Sequence, residues 1–118
     1  MKPVSNAVAF SLLIPELMKA GREVGYALCV HGSMARDLDV VAVPWTEDAQ
    51  SAERLVIHIA AALGGHFRNS SRKIEGTDEW EQVPAAEPTV KPHGRLSWVI
   101  WVADRLYIDL SVMPRQSA

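Results

Sequence analysis

Two aspartates one residue apart, Asp37 and Asp39, follow closely on a Gly32-Ser33 pair, and a third, Asp109, interrupts an apolar run near the end of the chain. Alternate residues of a strand project to one face, so Asp37 and Asp39 are expected to point the same way. Like charges that close repel each other unless a cation sits between them. A hard divalent ion held by carboxylate oxygens is the chemistry such a pair serves, and a Gly-Ser turn beside it suits a phosphate. A third carboxylate on a neighbouring strand would complete a two-metal site, in which the ions activate an attacking oxygen and neutralise the leaving group. Asp37, Asp39 and Asp109 are therefore the candidate metal ligands and catalytic residues, on condition that their strands are adjacent and share a face.

The elements that must position them can be read from periodicity. Phe10, Leu13, Ile14, Leu17, Met18 and Gly21 recur at helical spacing and predict an amphipathic helix, which Pro15 either kinks or enters in its first turns. Tyr26 to Val30 reads as a short strand buried on both faces, and Asp37 to Val43 as a second strand ended by Pro44-Trp45. Thr46 is the expected N-cap of the next helix, with Glu47 and Asp48 in its first turn. Ala52, Leu55, Val56, Ile59, Ala60 and Leu63 form its apolar stripe, and Gly64-Gly65 closes it.

From His66 to Gly94 the pattern weakens. Phe67 is a candidate strand start, Glu75 to Val83 another, and Pro84, Pro88 and Pro92 break regular structure, so 66–94 is expected to be an irregular segment, a functional flap or a loop. Arg95 to Val102 and Leu106 to Val112 predict a hairpin joined by Ala103-Asp104-Arg105, with Tyr107, Asp109 and Ser111 on its polar face. The whole of 1–118 is expected to form one α/β (α+β) domain. Its mixed, largely antiparallel sheet of about four or five strands would have helices packed on one face and the aspartates on the open one.

Composition narrows the function classes. The net charge of −2 argues against a nucleic-acid binder held by phosphate attraction alone. The one cysteine, Cys29, has no partner for an intrachain disulfide, suits a reducing compartment and is expected to be a buried thiol. No apolar run approaches the ~18 residues of a membrane span, and no signal peptide is apparent, so a cytoplasmic location without membrane partners is the expectation.

Among the remaining polar residues, Lys91-Pro92-His93-Gly94-Arg95 is a basic loop with a glycine just before a strand, suited to closing over a phosphate. Arg36 lies in the turn before Asp37 and offers further charge to a phosphate. His31 is read either as a base or phosphate donor or as a structural histidine; His58 falls beside the apolar stripe of its helix and is read as structural, and His66 has no partner at metal-ligand spacing. Trp98 and Trp101 fall on opposite faces of one strand, so at least one belongs to the core. Neither a Ser-His-Asp order, a Walker loop nor a cysteine-based zinc pattern is present.

The segment Val30-His31-Gly32-Ser33, followed by Asp37-Leu38-Asp39-Val40, resembles the signature of the DNA polymerase beta-like nucleotidyltransferase superfamily. That signature is an apolar residue, Gly with Gly or Ser, a spacer, and Asp-x-Asp or Asp-x-Glu within an apolar strand, with a third acid on a later strand. The likeness covers Leu12 to Leu63 and the final hairpin. It implies a nucleotidyltransferase-like fold in which Asp37 and Asp39 hold Mg²⁺ (or Mn²⁺). Asp109, the third acid and ligand, helps to activate the incoming hydroxyl. It further implies that Gly32 and Ser33 bind the triphosphate of a nucleoside triphosphate; Arg36, Lys91, His93 and Arg95 are the further candidate nucleotide contacts, read from their charge and place in the chain.

The implied activity is nucleotidyl transfer to a protein, a small molecule or a nucleic-acid end, with nucleic acid entering only as acceptor, or nucleotide binding alone. Only Met34-Ala35-Arg36 separates Ser33 from Asp37, a shorter spacer than the family pattern. The alternative is an inactive binding or assembly module of the same fold, with a protein partner, as in antitoxin-like pairs or accessory proteins of mobile elements.

Overall fold

The computed structural model describes residues 5–67, 71–84, 87–103 and 105–115. Helix α1 (Ala7–Glu23) is followed by strands β1 (Tyr26–His31) and β2 (Leu38–Pro44), then helix α2 (Ala52–Leu63). Three short strands come next, β3 (Ser71–Lys73), β4 (Trp80–Gln82) and β5 (Thr89–Lys91). A single turn of 3₁₀ helix (Pro92–Gly94) leads into the long strands β6 (Arg95–Ala103) and β7 (Leu106–Val112). The main sheet has five strands in the order β1-β2-β7-β6-β5; β2 and β7 run parallel and every other pair antiparallel. It is the mixed, largely antiparallel sheet expected, and β3 with β4 forms a separate two-stranded ribbon.

Strict alternation decides which face is covered. Leu38, Val40 and Ala42 of β2, Ile108, Leu110 and Val112 of β7, and Trp98 and Ile100 of β6 are buried. The strand register places all of them on one side, where they join Phe10 and Leu17 of α1 and Leu55, Val56 and Ile59 of α2 in one core cluster. Both helices thus lie on one face. Gly21 allows α1 to settle on β1, since a Cβ there would lie 2.7 Å from Leu28 Cγ. Pro15 sits inside α1 on its exposed side and cannot donate to the carbonyl of Ser11 four residues before it.

Several expectations are corrected. β1 is an edge strand with one face open, and Cys29 is exposed rather than buried. An apolar run tells only that a strand can be covered on both sides, and here the helices cover one. The N-cap of α2 is Ser51, whose Oγ accepts from Arg54 N at 3.2 Å, not Thr46. Thr46 Oγ1 instead donates to Asp48 Oδ1 at 2.7 Å, and Gly25 O accepts from the amides of Trp45 and Thr46. The segment is thereby held against the α1–β1 corner, and the helix begins only after it. Gly64 does close α2, in the left-handed region at φ 67°.

The stretch read as irregular carries β3, β4 and β5, and begins with an antiparallel bridge between His66 and Trp101 beside the buried Phe67. The β6–β7 hairpin forms as expected, with a bulge between Trp101 and Ala103; Asp104 of its connection lies outside the described residues. Trp98 is in the core, whereas Trp101 stands on the open face with its ring centre 5.0 Å from that of Tyr107. Among the described residues no helix is long and apolar enough to cross a membrane.

The ribbon is fastened to α2 by charge. Glu81 of β4 accepts from Arg54 at 3.1 and 3.4 Å and from Arg72 at 3.2 Å, and Arg72 also reaches Glu53 of α2 at 3.1 Å. The hydrogen bond from Arg54 leads the effects that hold the Glu81 carboxyl below its ordinary range. A depressed carboxylate gives stability that is present above the unfolded-state range and lost as pH falls through the folded value. Glu81→Gln is expected to lower Tm by about 2–4 °C at neutral pH. Faster amide exchange confined to 71–73 and 80–82 would show that the ribbon, not the main sheet, has loosened.

Candidate metal centre

The parallel pairing of β2 with β7 sets Asp39 directly beside Asp109 on the open face. Asp37 lies one residue before β2, which starts at Leu38 rather than at Asp37 itself. One carboxylate oxygen from each of Asp37, Asp39 and Asp109 lies within 4.8 Å of the other two, and all three residues are half-buried. The condition that the three strand acids converge on one face is met. Three hard oxygen donors at this spacing fit a divalent cation that prefers carboxylates.

The surroundings hold Asp109 in place. Asp109 Oδ1 accepts from Ser97 Oγ at 2.5 Å, and its Oδ2 pairs with Lys91 Nζ at 3.3 Å. Tyr107 stands two residues before Asp109 on the same face, beside Asp37. Burial first, then the neighbouring Asp37 and Asp109, push the Tyr107 hydroxyl above its usual range. The Gly32 turn passes close to Asp39. Gly32, at φ 80°, brings the turn so close that a Cβ there would lie 3.0 Å from Asp39 Oδ2. That approach needs glycine on both counts.

The Asp39 carboxyl is raised above its ordinary range, by burial first and then by Asp37 and Asp109; His31 and Lys91 act in the opposite direction. His31 stands opposite Asp39 in the β1–β2 pairing, which gives it a place beside the acids.

The predicted phosphate-binding residues do not all gather. Lys91 reaches the aspartates. Arg95 turns away from them, its Nε donating to Pro92 O at 3.1 Å, and His93 is exposed in a left-handed conformation at φ 67°. Arg36 is exposed at the turn, where its carbonyl accepts from Asn6 Nδ2 at 3.3 Å. Ser33 Oγ accepts from Ala35 N at 3.2 Å, so its hydroxyl closes the turn from within. Asn6 N donates to Ala35 O at 2.8 Å and ties the same turn to the start of α1.

Ser97 and Tyr107 were not assigned a site role from the sequence. Tyr107 carried a signal, its alternation with Asp109. Ser97 carried none, because only the β6–β7 register brings it there. Beyond Asp109, on the side away from the Gly32-Ser33 turn, lies a groove of about 410 Å³. Its lining includes Lys91, Ser97, Val99, Trp101, Pro84 and Glu87.

No protein-family model matches this chain, and no curated protein matches its sequence. The resemblance therefore rests on the motif residues and their arrangement.

The raised Asp39 has a consequence for stability. Its proton is bound more tightly in the folded chain. The stabilisation is complete below the unfolded carboxylate range and lost as pH rises through the folded value. Asp39→Asn is expected to raise Tm at neutral pH by roughly 2 °C in metal-free buffer, the gain vanishing towards about pH 3. Thermal melts of both proteins across that range check it, and a lower Tm for the variant at neutral pH would contradict it.

Proposed function

We propose that this chain is a metal-dependent nucleotidyltransferase-like protein that binds a nucleoside triphosphate and transfers its nucleotidyl group to a hydroxyl acceptor. The convergence of Asp37, Asp39 and Asp109 within 4.8 Å on an open sheet face carries the reading. Asp37 and Asp39 would hold Mg²⁺ or Mn²⁺ with Asp109. Such an ion, when bound, supplies charge to the phosphate oxygens.

The chain's own residues do the rest. The Gly32-Ser33 turn offers backbone N–H groups to the phosphates, and Lys91 adds a cation to their other side. Asp109, positioned by Ser97, takes the proton of an acceptor hydroxyl entering from the groove. The acceptor oxygen bonds to the α-phosphorus as the bond to the β-phosphate oxygen breaks, and pyrophosphate leaves.

A second reading is favoured by one observation. The three-residue spacer is closed internally by Ser33 and Asn6, leaving the hydroxyl of Ser33 already engaged. In that reading the chain binds nucleotide, or a protein partner, without transfer.

Melting curves with Mn²⁺ or Mg²⁺ and ATP separate the two. Nucleotide at a hundredfold excess over its dissociation constant is expected to stabilise the fold by about 2.7 kcal/mol, and Asp39→Asn to abolish the gain. Transfer of label from α-labelled ATP to an acceptor in cell extract identifies the enzyme. A melting gain without label identifies the binding module. Melts unmoved by metal and by nucleotide would defeat both nucleotide readings.

A further inference from the structure

Ser97 is a buried hydroxyl that the proposed transfer uses only to position Asp109. It is 6% exposed and stands on the open face of β6, in alternation with the buried Trp98 and Ile100. Its Oγ donates to Asp109 Oδ1 at 2.5 Å. A general base must stand within hydrogen-bond reach of the hydroxyl whose proton it takes, and an activated serine is recognised by that contact. Asp109 is the proton acceptor of the proposed transfer, and the hydroxyl it already holds is the chain's own.

The order of groups across the sheet suits an in-line displacement. The Gly32-Ser33 turn joins β1 to β2, Asp39 lies on β2, Asp109 on β7 and Ser97 on β6, and these strands are neighbours in that sequence. Adjacent strands lie about 4.8 Å apart. A triphosphate anchored at the turn therefore sets its β- and γ-phosphates on one side of the Asp39–Asp109 pair, and Ser97 stands on the other. Attacking and leaving oxygens must lie roughly in line through the α-phosphorus, on opposite sides of it. Ser97 also lines the groove of about 410 Å³ beside Asp109, so it borders open space although little of it is exposed. Lys91, 3.3 Å from the other oxygen of Asp109, brings a positive charge to the same place.

We infer that Ser97 is a nucleotidylation site of this chain, modified by the chain itself when no outside acceptor fills the groove. The inference rests on the nucleotide reading proposed for the aspartates. Ser97 Oγ gives its proton to Asp109 and bonds to the α-phosphorus of a nucleoside triphosphate. The bond from that phosphorus to the oxygen bridging to the β-phosphate breaks, and pyrophosphate leaves. The product is a phosphodiester between Ser97 and the nucleoside. A hydroxyl held by its own fold reacts without the loss of freedom that a diffusing acceptor undergoes. Once modified, Ser97 no longer donates to Asp109, and its nucleotide stands where an outside acceptor would enter.

The purified wild-type chain, incubated with Mn²⁺ and α-labelled ATP, GTP, CTP or UTP, is expected to take up label from at least one of them. Intact mass is expected to rise by one nucleotidyl group per chain, and peptide mapping to place that group on Ser97. ATP labelled at the γ-phosphate is expected to leave no label. Diluting the protein is expected to leave the labelled fraction at a given time unchanged, since the reaction lies within one chain. Ser97→Ala and Asp109→Asn are each expected to remove the label. A wild-type Tm that rises with nucleotide while the chain stays unlabelled overturns this inference and leaves the nucleotide reading standing. Label mapped to another residue, label from the γ-phosphate, or a labelled fraction that falls on dilution overturns it as well. Melts unmoved by all four nucleotides, with no label taken up, overturn both.

Discussion

Asp39 and Asp109 stand side by side because Leu38, Val40, Ile108 and Leu110 are buried on the reverse side of the same two strands. Each of those apolar side chains contributes roughly 1.5–3 kcal/mol by leaving water. Two carboxylates within 4.8 Å oppose each other by roughly 3 kcal/mol or more at an effective dielectric of about 20, less once salt screens them. Burial wins, and it also fixes the register, since a slip of one residue would turn Leu38 and Val40 outward and the aspartates inward. The fold thus imposes a charge arrangement that the acids alone would avoid.

The second constraint is the bend that carries Gly32. A turn this close to Asp39 Oδ2 leaves no room for a side chain. It is kept in place from outside the sheet: Asn6, at the start of α1, binds the backbone of both Ala35 and Arg36, and Met34 packs against the core at φ 61°. The short spacer is a rigid bracket between the first helix and the acids. Its polar groups serve its own shape first, which is why Ser33 and Arg36 do not converge on the aspartates as Lys91 does.

Periodicity made the main frame legible. The stripe of α2, the alternation in β7 and the mixed sheet with helices on one side follow from apolar spacing, and so does the shared direction of Asp37 and Asp39. Register was not legible. That β2 pairs parallel with β7, that Ser97 meets Asp109, and that Lys91 of a three-residue edge strand reaches the same acid depend on contacts between distant segments. The misread N-cap has a similar cause. Thr46 has the right residue type and the right followers, but the carbonyl of Gly25 claims the backbone there, and Ser51 becomes the first hydroxyl free to cap. Cys29 was misjudged because an apolar run reveals coverage only when the neighbouring layer is known.

The charge balance of the cluster connects fold and proposed chemistry. Three ionised carboxylates and the one ammonium of Lys91 leave a formal −2 at the centre, which a single divalent cation balances. Lys91 already satisfies one oxygen of Asp109 and Ser97 the other, so Asp37 and Asp39 hold most of the donor capacity still open. A second cation would therefore need further anionic oxygens. In the proposed reading these come from the phosphates of the nucleotide, so that the complete centre forms only when the substrate is in place.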